Sequence, residues 1–92
     1  MRFSWTSGKA ARNRLKHGVD FADAAIALED ENALTIEDRG HDEQRFKSLG
    51  IGPGLRVLFV VHALEDEDCI RIISARNASR GEVRQYYQGI GQ

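Results

Sequence analysis

The spacing of hydrophobic and polar residues changes several times along the chain, and each change marks an element. RFSW, at 2 to 5, predicts a short strand. From Ser7 to His17 a helix is predicted, with Thr6 or Ser7 as N-cap and Gly18 as the C-terminal stop. Lys16 and His17 fall in its last turn, where they complement the helix dipole. Phe21, Ala24, Ala25 and Leu28 recur at helical spacing and predict a second helix from Asp20 to Glu29. The pattern then turns strand-like. ALTIE, QRFKSLGI, LRVLFVVHAL and DCIRIISAR predict four strands, separated by DRGHDE, the GPG turn at 52 to 54 and the acidic turn EDED. A last helix is predicted from Arg80 to Gln88, because Ser79 and Glu82 have capping-box spacing and Ala78 with Val83 can form a hydrophobic staple.

Strand, two helices, four strands and helix, in that order, predict an α+β fold. It is an antiparallel β-sheet meander with the two N-terminal helices on one face, a C-terminal helix, and one sheet face open. The run from 57 to 63 is apolar on both sides, as a central strand requires. If the EDED turn is centred between Asp66 and Glu67, His62 lies opposite Arg71, Val60 opposite Ile73 and Leu58 opposite Ala75 on the open face. Val57, Phe59, Val61, Ile70 and Ile72 then form the helix-covered face. Arg45 and Lys47 have the parity to join His62 and Arg71, and a slip of one residue would separate that pair.

Composition narrows the class. A chain of 92 residues, 41% hydrophobic, suffices for one core and predicts a single domain over 1–92. No apolar run approaches the ~20 residues that span a bilayer, and MRFSWTSGKAAR lacks the apolar stretch of a secretory signal, so a cytoplasmic protein without membrane contact is expected. Cys69 has no second cysteine to pair with and reads as a buried strand thiol. His41, Asp42 and Glu43 are adjacent but lack a recurrent ligand spacing, and Ser7-Gly8-Lys9 lacks the earlier glycine of a phosphate-binding loop. Neither a metal nor a cofactor is expected.

The net charge of -1 conceals a segregation. Lys9, Arg12, Arg14 and Lys16 form one basic group, and Arg71, Arg76, Arg80 and Arg84 a second, expected to converge near one strand-to-helix junction. Acids gather at Glu29, Asp30, Glu31, Glu37, Asp38, Asp42 and Glu43, and again at Glu65 to Asp68. A basic side suits a polyanion and an acidic side a separate partner; the competing reading is an ordinary mixed, solvated surface.

Two longer motifs point to a family. Trp5, Lys9, Ala10, Asn13, Lys16, His17, Gly18 and Val19 make W-x-x-x-K-A-x-x-N-x-x-K-H-G-V. Arg71 to Arg76, Ala78, Ser79, Glu82 and Tyr86 make R-I-I-S-A-R-x-A-[ST]-x-x-E-x-x-x-Y. Over nearly its whole length the chain resembles the BrnT toxins of bacterial type II toxin-antitoxin systems, whose fold is similar to that of the RelE ribonuclease toxins. It departs from many relatives at Asn77 and Gly81, where basic residues are expected. Gly81 in the first helical turn also weakens the last helix by up to ~1 kcal/mol.

The resemblance implies an endoribonuclease that cuts messenger RNA and arrests translation until a BrnA-like antitoxin covers it. That antitoxin family is similar to ribbon-helix-helix dimers, which implies a 2:2 complex that contacts DNA only through the antitoxin. Metal-free RNA cleavage uses the 2′-hydroxyl as nucleophile and needs a base, an acid and cations for the phosphorane charge. Arg71, Arg76 and Arg80 suit the cationic role because guanidinium matches phosphate oxygens. His62 is the candidate acid or base, with Glu82 and Tyr86 behind it. Lys9, Arg12, Lys16, His17, Arg45, Lys47 and Arg84 are candidate RNA contacts.

Structural roles compete with several of these. Arg71 could pair with the EDED acids, His62 could be a satisfied structural histidine, Glu82 could serve as a cap, and Lys16 with His17 could serve the dipole. Trp5, Phe21 and Phe59 are core candidates first, and nucleobase platforms only where exposed. Two functions stay open: an active ribonuclease toxin, and a catalytically weak binding module that acts with its antitoxin in operon repression. Asn77 and Gly81 are the features that favour the second.

Overall fold

The computed structural model describes residues 1–90. The chain forms β1 (Arg2–Ser4), α1 (Ser7–His17), α2 (Phe21–Leu28), β2 (Leu34–Asp38), β3 (Arg45–Ile51), β4 (Val57–Asp66), β5 (Cys69–Asn77) and α3 (Arg80–Ile90), with a 3-10 turn at Pro53–Leu55. Local chemistry sets the helix ends. Thr6 Oγ1 accepts from the Lys9 N–H, and Gly18 closes α1 in the left-handed region at φ 70°. At the start of α3, Ser79 Oγ accepts from the Glu82 N–H at 3.2 Å, and Glu82 Oε1 accepts from the Ser79 N–H at 2.8 Å. This is the reciprocal capping box expected from the spacing. No helix among the described residues is long and apolar enough to cross a membrane.

The sheet has five strands in the order β1-β5-β4-β3-β2. Strands β2 to β5 form the expected antiparallel meander, and β1 adds in parallel to β5 through Arg2–Cys69, Phe3–Ile70 and Ser4–Arg71. The sheet is therefore mixed. On one face α1 and α2 bury Val19, Phe21, Ala24 and Ala27 against Leu58, Val60, Ile72 and Ala75. Gly50 allows that approach, since a Cβ there would overlap the Ala27 carbonyl oxygen. The other face is partly covered: Tyr86 of α3 packs with Leu49 and Val57, flanked by Ile51, Phe59, Ala78 and Val83.

Pairing of β1 stops at Arg71, which leaves the later part of β5 with a free edge. Asn13 of α1 fills it. Its Oδ1 accepts from the Ala75 N–H at 3.1 Å, and its Nδ2 donates to the carbonyls of Ala75 at 2.9 Å and Val19 at 3.0 Å.

The expected register of the β4–β5 hairpin is corrected. The turn lies at Glu67 and Asp68, since Asp66 pairs with Cys69; an irregularity between Leu64 and Asp66 leaves Glu65 without a partner on β5, and a bulge between Val61 and His62 leaves Ile73 without one on β4. His62 therefore lies opposite Ile72 rather than Arg71, Val60 opposite Ala75 rather than Ile73, and Leu58 opposite Asn77 rather than Ala75. The faces of β4 are the reverse of expectation. Leu58 and Val60 meet α1 and α2, whereas Val57 and Phe59 lie with α3. Ile72 does lie on the α1 and α2 side, as expected.

Candidate functional site

Where β5 passes into α3, Arg76 is held in three ways. Its Nη1 and Nη2 donate to the two carboxylate oxygens of Glu82 at 2.8 and 3.0 Å, and Nη1 also donates to the Asn77 carbonyl at 3.2 Å. The guanidinium carbon lies 4.1 Å from the centroid of the Phe59 ring, which faces it from β4. Such stacking leaves the fork geometry intact while shielding one face of it from water. The hydrogen bonds from Arg76, helped by those to Ser79, lower the Glu82 carboxyl to about 2, and Glu82 raises Arg76 in return. Arg80 and Arg84, one turn apart on α3, are exposed and make no ion pair among the described residues.

A second basic group lies at the other end of β5. Arg71 Nη2 donates to both oxygens of Glu43, at 2.5 and 2.6 Å, and Arg45 Nε reaches the same carboxylate at 3.3 Å. Arg71, first among the causes, lowers the Glu43 carboxyl. The partner of Arg71 is thus Glu43 and not the EDED turn, and Arg71 Nε is left buried with no hydrogen-bond partner. Arg71 and Arg76 are separated along β5 by roughly 15 Å at the rise of a strand. The expected convergence of four cations is therefore corrected to two groups on one face. Lys47 lies on β3 between them, with Nζ 3.4 Å from Asp38 Oδ1. One sheet face thus carries Arg71, Arg45, Lys47 and Arg76 in succession.

His62 is not among them. It shares the opposite face with Leu58 and Val60, where it is buried, its Nε2 sits 2.8 Å from Ser48 Oγ, and Phe46 stacks on it at 5.8 Å. Thr35 Oγ1 continues the chain to Ser48 at 2.7 Å. Burial lowers the pKa of His62 and favours the neutral ring. Tyr86 is also buried, and its hydroxyl donates to Asp30, whose carboxylate accepts from the Ile51 N–H at 2.9 Å as well. Burial first, and then Asp30, raises the Tyr86 hydroxyl above its ordinary range. In this arrangement Tyr86 fastens α3 to the sheet. Glu82 is both the cap and the partner of Arg76.

Lys9, Arg12, Lys16 and His17 line a shallow cleft with Asn13 and with Ile73 and Ser74 of β5. They reach β5 from its free edge, apart from the arginine groups. Phe21 is in the core, Trp5 meets it edge to face at 6.0 Å, and Cys69 is a buried free thiol. His41, Asp42 and Glu43 line a surface hollow, yet no group of three metal-ligating side chains occurs among the described residues. The sequence reading missed Glu43 as the partner of Arg71 and Asp30 as that of Tyr86. Both lie in an acidic run whose members look alike in one dimension.

A family model described as "Ribonuclease toxin, BrnT, of type II toxin-antitoxin system" matches residues 5–82. No curated protein matches the chain. Among solved structures, the crystal structure of the Brucella abortus ribonuclease toxin BrnT is 27% identical, with a TM-score of 0.65 over 87% of this chain and 99% of that chain.

Proposed function

The chain belongs to the BrnT family of ribonuclease toxins of type II toxin-antitoxin systems, and from that premise we propose that it cleaves messenger RNA in the cytoplasm by a metal-independent route through the arginine-lined sheet face. The family implies an RNA substrate and an antitoxin partner. The observation that carries the finer reading is the Arg76–Glu82 pair at the β5–α3 junction, with Arg80, which makes no ion pair among the described residues, at the first position of the helix. A substrate phosphate competes with Glu82 for the Arg76 fork, and a carboxylate so released recovers basicity.

Glu82 then takes the proton of the 2′-hydroxyl, and the 2′-oxygen attacks phosphorus. The bond to the 5′-oxygen breaks, and that oxygen takes a proton from water. The products are a 2′,3′-cyclic phosphate and a 5′-hydroxyl end. Arg76 and Arg80 offset the charge on the phosphorane, while Arg71, Arg45, Lys47 and Arg84 position the strand on either side. Lys9, Arg12, Lys16 and His17 extend the contact around the edge of β5. His62 and Tyr86, buried as they are, serve the fold and not proton transfer.

A BrnA-like antitoxin covers the surface of Arg71, Arg76, Arg80 and α3 in a 2:2 complex that contacts DNA only through the antitoxin, and the acidic 29 to 43 segment stays largely free. A second reading, a weakly catalytic binding module, is favoured by one observation: Arg71 and Arg76 each already hold a carboxylate. Expression of Arg71→Ala, Arg76→Ala and Arg80→Ala without antitoxin separates the two. Relief of growth arrest supports the ribonuclease site. Full toxicity in all three variants means that the site lies elsewhere, and a harmless wild-type chain favours the binding module.

A further inference from the structure

Beside α3, Leu34, Ile36, Leu49 and Phe59 line a groove of about 190 Å³, whose polar lining includes Lys47, Glu82 and Gln85. We propose that this groove is a nucleobase subsite, receiving the base next to the phosphate held by Arg76 and Arg80; the proposal rests on the ribonuclease reading above. Three observations support it.

The lining is apolar surface left uncovered, with Ile36 65% and Leu34 37% exposed on an edge strand that α3 approaches at Gly89. A base presents a flat apolar face to such a surface. The groove also shares residues with the phosphate site. Glu82 lines it while holding Arg76, and Phe59 lines it while Arg76 lies over the ring. Base and phosphate of one nucleotide are thus matched by adjoining apolar and cationic surfaces. Finally, Gln85 offers a donor and an acceptor and Lys47 donors, the groups that read base edges. An apolar side chain of a protein partner would use the lining but leave these groups, and the cations beside them, without a match.

The test is an NMR titration of the labelled protein with the four nucleoside 3′-monophosphates, and with inorganic phosphate as the base-free control. The nucleotides are expected to shift the Ile36, Leu49 and Gln85 signals and to bind at least about fivefold tighter than phosphate, the low end of the stacking range for one base. Ile36→Asp should bring nucleotide affinity down toward that of phosphate, and Gln85→Ala should change the ranking of the four bases. Both positions are exposed, so an otherwise unchanged spectrum verifies the fold. The subsite is rejected if nucleotides and phosphate shift the same signals with equal affinity. It is also rejected if Ile36→Asp weakens antitoxin binding and leaves nucleotide binding unchanged, which assigns the groove to the protein partner. RNA cleavage is measured in parallel. Cleavage without base-dependent binding removes the subsite alone, and base-dependent binding without cleavage removes the ribonuclease reading alone.

Discussion

Arg76 and Glu82 hold each other through two parallel hydrogen bonds across the joint between β5 and α3, and the same carboxylate caps the helix by accepting from the Ser79 N–H. One side chain therefore sets both the start of α3 and the orientation of the guanidinium above Phe59. Glu82 titrates at about 2 in the fold, against an ordinary value of 4.5. A depressed carboxylate stabilises the fold fully above its unfolded pKa, and that contribution is lost as pH falls through the folded value. Thermal unfolding of Glu82→Gln should thus show lower stability at neutral pH than the parent, and a flatter decline between pH 4.5 and 2. Parallel curves for the two proteins would show that the pair adds nothing.

Glu43 occupies the fork of Arg71 and the Nε of Arg45 together. If the proposed site uses Arg71 for a phosphate, this carboxylate competes with it, so Glu43→Gln should tighten RNA binding and raise cleavage. The salt dependence of binding should steepen by about one unit of slope if a further phosphate contact forms. Filter binding over a range of salt concentrations measures this, and an unchanged slope would place the RNA away from Arg71.

How much of this was legible in the sequence depended on distance along the chain. The Thr6 cap, the Gly18 stop and the Ser79–Glu82 box are local, and their spacing showed them. The parallel pairing of β1 with β5 is not, because nothing in RFSW names a partner more than sixty residues away. Parity failed at a single residue. The irregularity that leaves Glu65 unpaired beside the turn sets Arg71 opposite Ala63 and so on the face away from His62, and nothing in an acidic turn gives warning of it. The arginines were named in the reading, but their grouping was not. Arg71 and Arg76 share a strand and a face, while only their acidic partners, Glu43 and Glu82, show that they form two groups.

Asn13 illustrates the same gap, a residue in a motif whose role appears only in three dimensions. It pairs with both backbone groups of Ala75 and with the Val19 carbonyl from a buried position. Asn13→Leu leaves those groups unsatisfied and should lower unfolding stability by about 2–4 kcal/mol. Urea denaturation measures it, and a loss below about 0.5 kcal/mol would mean that water replaces the amide without cost.

Arg80 and Arg84 make no ion pair among the described residues and share one side of α3. Charge reversal at both should weaken antitoxin association and flatten its dependence on salt relative to the parent. Calorimetric titration at two salt concentrations tests this. Unchanged affinity and salt dependence would mean that the antitoxin binds elsewhere and inhibits indirectly, for instance by displacing α3.

The most direct measurement is cleavage of a defined RNA by the purified protein in the presence of EDTA, with analysis of the new ends, for the parent and for Arg76→Ala. The account predicts that cleavage survives the chelator and leaves 2′,3′-cyclic phosphate and 5′-hydroxyl ends. It also predicts that Arg76→Ala, still folded, is slower by about 100-fold, the usual loss of one donor to the transition-state charge. Cleavage abolished by EDTA and restored by Mg²⁺, or an Arg76→Ala protein as active as the parent, would contradict it.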